Sequence, residues 1–359
     1  MAVCVNVYTV CVAITVCISL ISGELYKKDS YRTIKSPWIP LVLTTWGYRD
    51  AVKAGWNVIK NGNSALDAVE ATGHSCEMAQ CRHTVGFGGS PDESGETTLD
   101  AVIMDGNTHN VGGVGGIRRI KQAISVARKV LDNTDHSLLV GDAATKFAVQ
   151  MGFKEENLTT PYSENLWDTW GKNKCQPNFR ENVKPDPRKS CGPYHPINGQ
   201  QQQQRVSKIM DNIDADNHDT IGIVAIDSKG NIASGASTNG LTYKIPGRVG
   251  DSAVAGAGAY AENGVGAAAC TGNGDVMMRF LPSHTAVILM KTGLSPQEAA
   301  ESAIKIIKKK YPDFMGAIVA ADAKGNIGTY CHLWTDFQIT YMMPGLPDIQ
   351  VKNVTCSMN

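Results

Sequence analysis

The stretch that decides the fold is Asn217-His218-Asp219-Thr220-Ile221-Gly222-Ile223-Val224-Ala225-Ile226. A polar run ends at Asp219, and the residues after Thr220 are apolar or glycine without interruption. A continuous apolar run that opens on a β-branched residue predicts a strand buried on both faces. The sequence before it, Gln200 to Gln204 and then the acid-rich Ser207 to Asn217, has too little apolar surface to order itself and is expected to be a linker. A linker that runs straight into a buried strand is odd in an ordinary domain. It is natural if the chain is cut between Asp219 and Thr220.

Working outward, two hairpins share one phrase, Asp227-Ser-Lys-Gly-Asn-Ile232 and Asp322-Ala-Lys-Gly-Asn-Ile327. Glycine supplies the positive φ that a short loop needs. A three-residue loop in the first sets Asp227 against Asn231 and carries the register back to Thr220 opposite Thr238, with Cβ atoms about 4.5–5.5 Å apart.

Size and composition bound the rest. The 359 residues suit one large domain or two small ones. Lys+Arg 34 balances Asp+Glu 34, which argues against a nucleic-acid or strongly charged partner. Val7 to Ile21 is an uncharged apolar run ending in Ser22-Gly23, too short to span a bilayer comfortably. It is expected to be a secretory signal, residues 1–23, although no Lys or Arg precedes it. Ten Cys fall to seven once Cys4, Cys11 and Cys17 leave with the signal. Three disulfides are expected in an oxidising compartment: Cys76–Cys81, Cys175–Cys191 around a Pro-rich loop, and Cys331–Cys356 tying the last strand to the C-terminus. Cys270 is left over. Asn157-Leu-Thr and Asn353-Val-Thr are glycosylation sequons.

In chain order, Pro40–Thr45 predicts a strand and Asp50–Lys60 a helix stopped by Asn61-Gly62. Ser64 and Asp67 have capping-box spacing. Val85-Gly-Phe-Gly-Gly-Ser-Pro invites a nucleotide-loop reading, but proline stands where a third glycine belongs, so a tight surface turn is expected. Thr98–Met104 predicts a strand. Gly112 to Gly116 suggests a close backbone approach, and Ile117 to Leu131 holds helical spacing. From Pro161 to Pro196 regular periodicity is absent. Ser295-Pro296-Gln-Glu298 caps a helix that ends in Lys308-Lys-Lys310. Strands before and after helices in both halves point to a layered α/β sandwich.

A threonine hydroxyl needs a base, and no Gly-x-Ser-x-Gly elbow or His-Glu-x-x-His motif supplies one. Cutting the bond before Thr220 would free its own α-amine, whose pKa of about 8 suits that task. His218-Asp219-Thr220-Ile-Gly, Ser237-Thr238-Asn-Gly240, Gly247-Arg248-Val-Gly-Asp251-Ser and Thr271-Gly-Asn-Gly-Asp275, in this order, closely resemble the glycosylasparaginase (aspartylglucosaminidase) family of N-terminal-nucleophile hydrolases. Thr45-Trp46, Gly86-Phe-Gly-Gly-Ser-Pro-Asp-Glu, Arg118-Arg-Ile-Lys121 and Met278-Arg-Phe-Leu-Pro282 extend the resemblance over the mature chain.

The resemblance implies an α/β, four-layer αββα sandwich and self-cleavage at His218-Asp219-Thr220 into an α subunit, 24–219, and a β subunit, 220–359. It implies Thr220 as nucleophile, Thr238 as the residue that tunes it, and Thr271 with Gly272 as the oxyanion hole. Arg248 would clamp the substrate α-carboxylate, Asp251 its α-ammonium, and Trp46 would stand beside the threonine. The implied reaction is hydrolysis of the amide joining N-acetylglucosamine to asparagine, with no metal or cofactor, by a dimer of αβ units in lysosomes or secreted. Two rivals remain at this point: an isoaspartyl peptidase or L-asparaginase of the same superfamily, and a secreted uncleaved non-enzymatic factor. Three departures stand out. Asn217 replaces the family's common glycine, Ala300 and Ala320 occupy the positions of a fourth disulfide, and Cys270 adjoins Thr271.

Overall fold

The computed structural model describes residues 36–197 and 220–358. The expectations for the signal, the linker, Asn217, His218 and Asp219 lie outside the described residues.

The described chain is mixed α/β, built on two main sheets. Its strands are β1 (Leu41–Thr45), β2 (Thr98–Asp105), β3 (Val111–Arg118), β4 (Leu138–Val140), β5 (Val183–Lys184), β6 (His195–Pro196), β7 (Ile221–Ile226), β8 (Ile232–Thr238), β9 (Ala259–Glu262), β10 (Gly266–Gly272), β11 (Gly316–Asp322), β12 (Ile327–His332), β13 (Gln338–Met342) and β14 (Gln350–Asn353). An eight-stranded sheet runs β14-β13-β1-β7-β8-β2-β3-β4, a four-stranded sheet runs β12-β11-β10-β9, and β5 pairs with β6. Only β3 and β4 pair in parallel among these strands.

Helices α1 (Arg49–Ile59), α2 (Ala65–Ala79), α3 (Ala123–Asn133) and α4 (Gly141–Gln150) cover one face of the large sheet, α5 (Pro161–Lys172) lies outside it, α6 (Gly274–Met277) follows β10, and α7 (Pro282–Lys291) with α8 (Pro296–Lys310) cover the small sheet. The other faces of the two sheets meet, β10 packing on β7 and β8. Small residues permit the approach: a Cβ on Gly222 would lie 3.0 Å from the Ala269 Cβ.

Strand period 2 then assigns every side chain near Thr220. Ile221, Ile223 and Ala225 join the core under the helices, so Thr220 and Gly222 face the opposite sheet. In β10, Ala268 and Cys270 join the core under α7 and α8, and Thr271 points the other way. The first hairpin has the expected register, Ile221↔Ser237 to Ile226↔Ile232, which sets Thr220 level with Thr238. All three disulfides are present. Ala300 and Ala320 are buried in one core.

The local signals at α2 and α8 work as expected: Ser64 with Asp67 and Ser295 with Glu298 form capping boxes. Several expectations need correction. The Ile117–Leu131 helix begins only at Ala123, because β3 runs through Arg118 and Ile117 is a sheet residue. The unpatterned segment contains α5, started by a Thr160–Ser163 capping box with Pro161 at the first turn. Cys331 lies on β12, and β13 and β14 follow it, so this is not the last strand. The Gly86–Asp92 stretch is mostly buried rather than a surface turn. Its carbonyls are satisfied by side chains: Thr160 to Gly88, Thr97 to Gly89, and Lys244 Nζ to Ser90 at 3.0 Å.

Buried Glu77 on α2 ties layers together. Its Oε1 accepts from the Ile124 N–H at 2.9 Å and from the Ser237 hydroxyl at 2.6 Å. Burial pushes its pKa up to about 8 from an ordinary 4.5. The folded protein therefore keeps a proton that the unfolded chain has lost, and stability drains as pH rises from about 4.5 towards 8. Glu77→Gln should flatten that decline. Thermal midpoints of both proteins across the range check it, and parallel curves would contradict it.

Candidate active site

β1 ends where its backbone turns sharply at Trp46, held at φ 65°. Such a value is rare for a bulky residue and marks a constrained site. The β1–β7 ladder stops at Thr44↔Ile223. The Thr45 hydroxyl takes over, donating to the Thr220 carbonyl at 2.8 Å and accepting from the Gly222 N–H at 2.9 Å. The turn swings the Trp46 indole under the inter-sheet space, where Trp334 and Phe337 pack edge-on against it at 4.8 and 5.1 Å.

Thr271 is the meeting point. Its Oγ accepts from the Thr220 backbone nitrogen at 3.1 Å and from Trp46 Nε1 at 3.2 Å. A hydroxyl has two acceptor lone pairs and one proton. Both lone pairs are in use, so the Thr271 proton is left for donation outward. Gly272 follows at φ 132°, where a Cβ would lie 2.5 Å from Gly316 Cα. The Thr238 hydroxyl donates to Thr84 O at 3.3 Å and accepts from Gly240 N at 3.0 Å. Cys270 points away, its sulfur 3.1 Å from the Ser283 hydroxyl, and burial pushes its thiol pKa up. Its neighbour relation to Thr271 is sequential, not spatial.

The charged residues form a second group. Arg248 pairs with Asp275, Nη2 to Oδ2 at 2.9 Å and Nε to Oδ2 at 3.2 Å. The Arg248 Nη1 and the Asp251 Oδ2 are both buried without a hydrogen-bond partner among the described residues. Both side chains border Gly274: a Cβ there would sit 2.6 Å from Asp251 Oδ1 and 3.1 Å from Arg248 Nη2. Burial raises the Asp251 pKa to about 7 against the opposing pull of Arg248. Asp100, level with Thr238 on β2, anchors the loop that carries both residues by accepting from Gly250 N at 2.9 Å and from Gly116 N at 2.7 Å. Burial also raises the Asp100 pKa and lowers that of Lys244 to about 8.

The structure thus brings Thr220, Trp46 and Thr271 together, and Arg248 with Asp251. Sequence reasoning missed Asp100, a single residue in an unremarkable context, and gave no role to Thr45 or Ser252, although the quoted Thr45-Trp46 and Gly247–Ser252 motifs contain them. It also passed over Asp275, although the quoted Thr271–Asp275 motif contains it. The sequon residues Asn157 and Asn353 are exposed. Among the described residues no group of three or more His, Cys, Asp or Glu is arranged to hold a metal ion.

Residues 35–343 match the family model described as asparaginase. The chain belongs to the asparaginase family. It is 53% identical over 306 residues to the N(4)-(beta-N-acetylglucosaminyl)-L-asparaginase of Rattus norvegicus, covering 85% of this chain and 88% of that one. The protein of the same name from Mus musculus is 52% identical over the same shares. A relative from Drosophila melanogaster is 49% identical over 326 residues, 89% of this chain and 83% of that one.

Thr45→Val keeps the shape and removes both hydrogen bonds. It leaves a buried carbonyl and a buried N–H unpaired, worth about 1–3 kcal/mol each. The thermal midpoint should fall by roughly 5 °C or more. An unchanged midpoint would show that Thr45 does not hold this strand end.

Proposed function

We propose that this protein hydrolyses the amide bond between N-acetylglucosamine and the side chain of asparagine, as the names of its rat and mouse relatives describe for them. The observation that carries the reading is that Arg248 Nη1 and Asp251 Oδ2 are buried without a hydrogen-bond partner among the described residues, on side chains that both border Gly274. Unpaired buried charge is costly. A ligand bearing an α-carboxylate and an α-ammonium satisfies both groups at once, and a free amino acid head group is such a ligand. Isoaspartyl dipeptides and asparagine share that head group, and the relatives' names favour the glycosylated substrate.

In this reading the fold is the four-layer αββα sandwich of N-terminal-nucleophile hydrolases, and the chain cuts itself between Asp219 and Thr220. The new α-amine takes the Thr220 hydroxyl proton, and the oxygen attacks the substrate's side-chain carbonyl. Thr271 Oγ–H and the Gly272 N–H receive the oxyanion. The α-ammonium protonates the departing glycosylamine nitrogen, and water then hydrolyses the Thr220 ester. Asp275 holds the Arg248 fork in place, which suits bidentate carboxylate recognition. The three disulfides support folding in the secretory pathway, with residues 1–23 as a signal and a lysosomal or secreted destination. The mature form is a dimer of αβ units.

Thr220→Ala should remain one full-length chain on denaturing electrophoresis and be inactive; two chains, or retained hydrolysis, would overturn the assignment. The ammonium needs the Asp251 carboxylate ionised. Because its pKa in the free site is about 7, KM should rise as pH falls through that value. A KM that stays flat from about pH 5 to 8 would separate Asp251 from substrate binding.

A further inference from the structure

Thr220 is held at three points by side-chain hydroxyls. Thr45 takes its carbonyl at 2.8 Å, and Thr271 takes its backbone nitrogen at 3.1 Å. Those contacts fix the backbone and leave the side chain free to turn about χ1. The third contact reaches the reacting atom: Ser252 Oγ donates to Thr220 Oγ at 3.4 Å. Both residues are fully buried. Buried hydroxyls are normally bonded to what the fold requires of them. Among the described residues, the Ser252 hydroxyl makes its hydrogen bond to the Thr220 oxygen.

We propose that Ser252 is a further catalytic residue, donating a hydrogen bond to the Thr220 oxygen whenever that oxygen carries developing negative charge. The inference rests on Thr220 being the nucleophile. The hydroxyl oxygen has two lone pairs and one proton. Ser252 occupies one lone pair, the proton passes to the α-amine, and the other lone pair is left to attack. Ser252 therefore sets the rotamer from which attack occurs.

Its larger effect falls on breakdown of the ester. Water adds to the ester carbonyl, giving one proton to the α-amine. The tetrahedral intermediate then collapses: the bond from the carbonyl carbon to Thr220 Oγ breaks, and its electron pair returns to that oxygen. The α-ammonium restores the hydroxyl proton, and aspartate leaves with the new carboxyl group. The Ser252 O–H faces the oxygen throughout this build-up of charge.

The position of Ser252 supports the role. It follows Asp251 directly on the short turn Asp251–Ala253, and Asp100 anchors that turn through the Gly250 N–H at 2.9 Å. The group that reads the substrate ammonium and the group that aligns the nucleophile are thus adjacent on one fixed turn.

Ser252→Ala and Ser252→Cys, purified as full chains, test this. In the cut alanine variant kcat should fall at least about tenfold while KM stays within about twofold. Cysteine, a weaker donor of similar shape, should fall between alanine and wild type. An alanine variant that unfolds at the wild-type temperature but cuts itself more slowly supports the same conclusion, since cutting uses the same oxygen. Wild-type kcat in Ser252→Ala overturns the proposal. So does a loss carried by KM, which is what a turn that merely misplaces Asp251 would produce. An active Thr220→Ala would instead overturn the nucleophile reading.

Discussion

The hydrogen bond from the Thr220 backbone nitrogen to the Thr271 hydroxyl joins the two sheets at the proposed nucleophile. It exists because the sheets approach closely, and they approach closely because Gly222 faces Ala269 across the gap. A larger side chain at position 222 would push β7 away from β10 and part Thr220 from Thr271. The same alternation that aims Thr220 and Thr271 at each other sends Ser237 to Glu77 and Cys270 to Ser283 on the far faces. The site is therefore a consequence of strand register, and a slip of one residue would reverse each of these side chains.

Charge follows the same logic. Asp100, Arg248, Asp251 and Lys244 are withdrawn from water at one end of the inter-sheet layer. Backbone groups answer Asp100 and Lys244, and Asp275 answers Arg248. Arg248 Nη1 and Asp251 Oδ2 are left over. That the fold hydrogen-bonds the Asp100 carboxylate through Gly116 and Gly250 yet leaves those two atoms without a partner among the described residues is what supports the proposed zwitterionic ligand. Burial raises the Asp251 pKa to about 7, so in the proposed reading binding and ionisation are coupled.

Much of this was legible in the sequence, and for stated reasons. The β7–β8 register followed from a single glycine loop, and the caps of α2 and α8 from residue types at fixed offsets. The disulfides followed from cysteine spacing read with a signal-like N-terminus. What escaped was tertiary. Helix α5 was hidden because tryptophan and asparagine blur its periodicity, although Thr160-Pro161 announced its start. The Gly86–Asp92 loop looked exposed because the side chains that satisfy its carbonyls, Thr97, Thr160 and Lys244, lie elsewhere in the chain. Asp275 as the partner of Arg248, and Ser252 as the partner of Thr220, become visible only when β10 and the Asp251 turn are placed against β7.

The central claim is that a mid-chain threonine becomes an N-terminus and so acquires its own base. Determining the N-termini of protein purified in its active form tests this most directly. The account predicts a chain that begins Thr220-Ile-Gly-Ile-Val. A protein that hydrolyses N-acetylglucosaminyl-asparagine while the Asp219–Thr220 bond is intact would contradict it.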